Sequence, residues 1–125
     1  MTLALGPALG TVTFDCADPQ RLAGFWAAAL RTTVAGDYGD FVFLAPPPDG
    51  GVTLGFQRVP EPRVGKNRVH VDLSGADRAA EVVRLVEIGA SVSYHQLGTV
   101  PGIDWTTLTD PEGNEFCVAE HHEVG

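Results

Sequence analysis

Apolar and polar residues alternate over residues 11–15, where Val12 and Phe14 stand between Thr11, Thr13 and Asp15. A period of two predicts a strand with one apolar and one polar face. Val69, Val71 and Leu73 alternate with His70 and Asp72 in the same way. Each run leads to an aspartate suited to cap a helix. Asp18 precedes Pro19, whose fixed φ fits the first helical turn, and Leu22, Phe25, Trp26, Ala29 and Leu30 then recur at helical spacing. Asp77 opens a second helix, with Ala79, Val82, Val83 and Val86 as its apolar stripe and Gly89 as its left-handed stop.

Three further strands follow each helix. After the first they fall at residues 32–35, 41–45 and 52–59, broken by Gly, Asp and a Pro-Pro-Pro-Asp-Gly-Gly loop; after the second they fall at residues 91–96, 105–109 and 115–119. The chain therefore reads βαβββ twice. Residues 11–18 match residues 70–77, and residues 51–57 match residues 113–119, so the two halves repeat at about sixty residues. Residues 60–66, rich in proline, form a short stiff linker between a first module at about 10–59 and a second at about 67–120. A chain of 125 residues suits a single domain spanning residues 1–125.

The last strand is introduced by a turn whose chemistry is explicit. In Asp110-Pro111-Glu112-Gly113-Asn114, proline fixes φ, glycine accepts a positive φ, and Asp110 can bond the turn's own backbone. Phe116 and Val118 then point one way, and Glu115, Cys117 and Ala119 the other.

A repeated βαβββ unit with this turn, together with Lys66-Asn67-Arg68-Val69-His70-Val71-Asp72-Leu73 and the segment from Trp105 to Val118, resembles the vicinal oxygen chelate superfamily, also called the glyoxalase and bleomycin-resistance fold, and within it the glyoxalase-like subgroup. The resemblance implies an α+β fold in which each four-stranded sheet curls into half a cup with the helices outside. Val12, Phe14, Leu54, Phe56, Val69, Val71, Leu73, Phe116 and Val118 would then pack on the helices. Metal-dependent members hold one divalent cation through four side chains, at positions that correspond here to Thr11, Gly55, His70 and Cys117. Gly55 offers no donor and Thr11 a weak one, so the expectation is no metal and no cofactor. A rearranged divalent site drawing on Gln57, Asp72 and Glu115 is the alternative. The resemblance also implies a homodimer.

Composition narrows the partners. Eight Lys plus Arg against sixteen Asp plus Glu give a net charge of −8, which repels nucleic-acid backbones and anionic lipid. The apolar first ten residues lack a basic flank and are too short to span a bilayer, so a cytoplasmic protein is expected. Cys16 and Cys117 are the only cysteines, and their strand parities argue against a disulfide.

The expected function is a glyoxalase-like small-molecule-binding protein with a metal-independent cavity lined by Thr13, Gln57, His70, Asp72, Trp105, Glu115 and Cys117. Trp105 shares the polar parity of Thr107 and Thr109 and would wall a flat ligand. His70 is the candidate base if the protein is instead a lyase or isomerase, and Cys117 is either a small buried hydrophobe or half of a Cys-His pair. Sequestration of an antibiotic is the third reading. Trp26 belongs to the core, and Tyr38, Phe41 and Phe43 are left to either side by parity. His95 is expected near a loop and exposed, and Glu120-His121-His122-Glu123 solvated and disordered.

Overall fold

The computed structural model describes residues 7–123. The chain divides into two compact units, Met1–Pro60 and Glu61–Gly125, with the break at the start of the proline-rich linker. The first unit contains β1 (Thr11–Cys16), α1 (Pro19–Ala29), β2 (Val34–Asp37), β3 (Phe41–Leu44) and β4 (Thr53–Arg58). The second contains β5 (Asp72–Ser74), α2 (Arg78–Glu87), β6 (Ser91–Val100), β7 (Ile103–Thr109) and β8 (Glu115–His121). Each is a βαβββ module. Their sheets share one topology, β1-β4-β3-β2 and β5-β8-β7-β6, with the first and last strands of each module parallel and the rest antiparallel.

The helices form where capping predicts. Asp18 Oδ1 accepts the Arg21 N–H at 3.1 Å and Asp77 Oδ1 the Ala80 N–H at 3.0 Å, each taking up a donor that has no partner within its helix. Helix α1 buries Leu22, Phe25, Trp26 and Ala29 against its sheet, where Trp26 packs edge-to-face on Phe14 and Phe25 with centroids 5.4 Å apart. Leu30, expected in this stripe, is the C-cap residue and is exposed.

Helix α2 corrects its expected stripe. Val82 and Leu85 are buried, whereas Val83 is 60% exposed and Ala79 and Val86 also face outward. Beside them, half-buried charged residues find partners within the helix and on the sheet. Arg84 pairs with Glu81 at 2.7 Å, and Arg78 donates to the Thr106 hydroxyl at 2.8 Å, so of the expected stripe only Val82 is buried. Gly89 ends the helix at φ 124° as expected.

Strand β5 is shorter than the alternation predicts. Val69 is 77% exposed rather than packed on a helix, and residues 69–71 fall outside the strand. The reason is Asn67. Its Oδ1 accepts the Glu115 N–H at 2.9 Å while its Nδ2 donates to the carbonyls of Glu115 and Val69, so a side chain occupies backbone groups that a neighbouring strand would otherwise pair. Ladder geometry resumes where the Cys117 N–H donates to the Val71 carbonyl at 3.0 Å.

At the other end, β8 runs two residues beyond its expected limit. Glu120 pairs with Asp104 and His121 with Ile103, the His122 N–H donates to the Gly102 carbonyl, and His122 Nε2 lies 3.5 Å from Asp104 Oδ2. The tail through residue 122 is thus ordered by β7, contrary to the expectation of a disordered end. His95 likewise sits within β6 rather than near a loop, and its Nδ1 is 2.8 Å from Thr106 Oγ1. No helix among the described residues is long and apolar enough to cross a membrane, and the apolar residues 1–6 lie outside the described residues.

Candidate functional site

In each module one sheet face carries the helix, and the opposite face is helix-free. On the first module's helix-free face, register places Thr13 beside Gly55, with Phe43 on the far side of Gly55, and pairs Gln57 with Asp15 and Phe41. Val42 and Leu44 alternate to the helix side, where they are buried. Parity alone had left Phe41 and Phe43 undecided. Gly55 is buried beneath its neighbours, since a Cβ there would meet two Phe43 ring carbons at 3.1 Å and the Thr11 methyl at 3.3 Å. Gly36 pairs with Phe43 from the other side and makes room for Tyr38, whose ring stands 6.3 Å from that of Phe43. This face is an aromatic platform built over two glycines.

The second module's helix-free face is different in kind. Asp72 and Cys117 are directly paired across the parallel β5–β8 ladder, and Thr107 faces Cys117 from β7. His70 precedes Asp72 by one pleat on the same face. Nε2 of His70 lies 3.3 Å from Asp72 Oδ1, and one donor atom from each of His70, Asp72 and Cys117 falls within 4.8 Å of the others. His70 and Asp72 are half-exposed, whereas Cys117 is 7% exposed.

The cluster owes its position to the segments on either side of it. The Asp110 carboxylate is buried inside its turn, where Oδ1 accepts the N–H groups of Glu112 and Asn114 at 2.9 and 3.0 Å, and Gly113 takes φ 85°. Asn67 then ties the start of β8 to the chain entering β5. Together these contacts hold Cys117 beside His70 and Asp72. Asn67 entered the sequence analysis only within the motif ahead of the alternating run and Thr107 only through its parity with Trp105; neither was expected at the site.

Burial pushes the Cys117 thiol above its ordinary pKa, its hydrogen bond with Thr107 at 3.3 Å works in the opposite direction, and the nearby Asp72 charge reinforces the rise. At neutral pH Cys117 is a thiol, poorly suited to nucleophilic attack. Cys16 lies in the first module with its thiol 3.5 Å from the Gln57 carbonyl, and the two cysteines form no disulfide. Glu115, expected to line the site, has its carboxylate 3.4 Å from Lys66 Nζ. Trp105 pairs with Ala119 and Gln96 on the Cys117 side of the sheet and is half-buried. His70, Asp72, Trp105, Glu115 and Cys117 therefore share the second module's helix-free face, while Thr13 and Gln57 stand on that of the first.

This architecture agrees with the sequence relationships. A family model described as a glyoxalase-like domain matches residues 11–119. The chain belongs to the glyoxalase-like domain family. A glyoxalase/bleomycin resistance protein/dioxygenase family enzyme from Burkholderia phytofirmans PsJN is similar in structure, with a TM-score of 0.79 at 17% identity over 93% of this chain and 100% of that one. A glyoxalase family protein from Bacillus cereus has a TM-score of 0.72 at 14% identity, covering 98% of this chain and 100% of its own, and TioX from Micromonospora sp. ML1 has 0.66 at 15%, covering 93% and 100%. No curated protein matches the sequence. Identities this low carry the glyoxalase-like fold and leave the chemistry to the site.

The residues at the superfamily's metal positions do not fit the usual ion. Gly55 supplies no donor atom, and the space in front of it holds the Phe43 ring. Thr11 contributes only a neutral hydroxyl.

Proposed function

We propose that this glyoxalase-like protein binds a small organic molecule at the helix-free face of its second module, without the four-residue metal site of the superfamily's metal enzymes. The Phe43 ring over Gly55 carries this reading, because it replaces a metal donor by an apolar surface. Trp105 supplies a half-buried ring next to groups able to donate and accept hydrogen bonds, a combination suited to a flat, partly polar ligand. Native mass spectrometry of freshly purified protein, combined with Trp105→Ala, tests it. A co-purifying small molecule that disappears in the variant supports the assignment, and a molecule retained by the variant removes Trp105 from the site.

The His70–Asp72 pair favours a second reading, proton transfer. A carboxylate 3.3 Å from Nε2 orients the imidazole and leaves Nδ1 to meet a substrate. Solvent deuterium would then enter the carbon next to the carbonyl of dihydroxyacetone in the wild type and fail to do so in His70→Ala. Equal incorporation in both proteins excludes His70 as the base.

A further inference from the structure

We propose that His95, Thr106 and Arg78 form a proton-sensitive relay on the helix side of the second module, and that its break on acidification loosens the part of β6 standing beside Trp105. The effect on a ligand rests on the binding reading above. The relay itself does not, and its test uses no ligand.

Proton counting gives the relay a direction. Nη1 of Arg78 donates to Thr106 Oγ1 at 2.8 Å, and Nδ1 of His95 lies 2.8 Å from the same oxygen. A guanidinium only donates, so it occupies a lone pair of the hydroxyl and leaves the Thr106 hydrogen to find an acceptor. Thr106 is fully buried, which keeps that hydrogen from water. Nδ1 of a neutral imidazole is the acceptor in place, with the ring's own hydrogen on Nε2. The chain of donors therefore runs from Arg78 through Thr106 to His95. A second proton on the imidazole ends it: Nδ1 becomes a donor, Oγ1 then faces two donors, and the buried hydroxyl hydrogen is left without a partner.

The charges around His95 are already committed. From α2, the Arg78 guanidinium meets the ring across one hydroxyl, and Glu81 pairs with Arg84 at 2.7 Å. From β8, Glu120 Oε1 accepts the Arg78 N–H at 2.8 Å. From β7, Asp104 Oδ1 accepts the Gly98 N–H at 2.7 Å while its Oδ2 stands 3.5 Å from His122 Nε2. Strand β6 itself contains no Asp, Glu, Lys or Arg, and its Tyr94 alternates to the opposite face.

The place of His95 along β6 makes the break consequential. β6 is the edge strand of its sheet, and its register with β7 shifts between Val92 and Tyr94 and again between Gln96 and Val100. Between those shifts lie three pairs, Tyr94 with Thr107, His95 with Thr106 and Gln96 with Trp105. Among the described residues, His95 supplies the side-chain hydrogen bond from this short stretch to another strand, whereas Gln96 bonds Thr99 of β6 itself. Tyr94 and Gln96 alternate to the helix-free face. A bond on one face of β6 thereby holds the strand that flanks Trp105 on the other.

Nitrogen-15 NMR of the full chain at about pH 8 and about pH 5 tests the relay, because histidine changes charge within that range. At the higher pH, His95 should carry its hydrogen on Nε2 with Nδ1 as acceptor. At the lower pH, both nitrogens should be protonated, and the ladder amides of residues 94–96, corrected for intrinsic exchange, should lose protection roughly tenfold. His95→Asn puts a carbonyl oxygen near the Nδ1 position without a titrating group, so it should keep that protection at both pH values. His95→Ala, at an exposed position, should lack it at both. A hydrogen on Nδ1 at the higher pH, unchanged protection on acidification, or a loss that persists in His95→Asn overturns the proposal.

Discussion

The two modules share strand order, helix caps and an apolar helix-side core, yet their helix-free faces have diverged completely. In the first module, glycines at positions 36 and 55 yield space to Tyr38 and Phe43, and the face presents rings. In the second, the strand position that pairs with Gly55 in the internal repeat holds Cys117, and the face presents a sulfur, an imidazole and a carboxylate. The internal repeat keeps what folds the chain and differs in what the helix-free faces present. The constraint on the helix side is packing, met by apolar residues of suitable volume and, in the second module, by the hydrogen bond from Arg78 to the buried Thr106; the helix-free side carries no such demand and is where function can vary.

If the helix sides are equivalent, truncating either core should be costly. Trp26→Ala removes a fully buried ring packed on Phe14 and Phe25 and should lose about 3–5 kcal/mol, and Leu85→Ala, its fully buried counterpart in α2, about 2–5 kcal/mol, both read from urea denaturation. A loss below 1 kcal/mol at either would show that one module contributes little to the folded state.

The helix-free faces should respond unequally. Gly55→His forces a Cβ against the Phe43 ring at 3.1 Å and should destabilise by about 1–3 kcal/mol, with part of the loss recovered when Phe43→Ala is added. Strict additivity of the two changes would contradict the ring's role in filling that position. Asn67→Ala removes three side-chain hydrogen bonds, two with the Glu115 backbone and one to the Val69 carbonyl, and should cost about 1–2 kcal/mol, with fraying of residues 67–71 visible as faster amide exchange at Cys117. Unchanged exchange would mean that the ladder alone holds the segment.

The smallest effect concerns Cys117. Because burial raises its pKa, it is protonated at pH 8, and iodoacetamide should label it more slowly than a free cysteine, with the rate climbing as pH rises toward the raised pKa. Labelling as fast as that of a solvent-exposed thiol at pH 8 would show the thiol to be activated instead.

Much of the fold was legible because it is written locally. Alternation at residues 11–15, the Asp18 and Asp77 caps and the Asp110-Pro111 turn each act over a few residues, and each forms as expected. What was missed depends on partners distant in sequence. Asn67 displaces a strand by reaching Glu115, Arg78 on α2 is half-buried where it reaches Thr106, and the tail is ordered by its pairing with β7. The site follows the same division. Parity named the face of His70, Asp72, Trp105 and Cys117, but the closeness of the first two to Cys117 arises from the parallel β5–β8 register. Likewise, Gly55 was readable as a missing donor, whereas the ring that fills its place required the β3–β4 register.

Native mass spectrometry of freshly purified wild type, Trp105→Ala and Phe43→Ala tests the contrast between the faces most directly. A co-purifying small molecule lost in Trp105→Ala and kept in Phe43→Ala is the predicted result. A molecule kept in Trp105→Ala, or lost in Phe43→Ala alone, would contradict it.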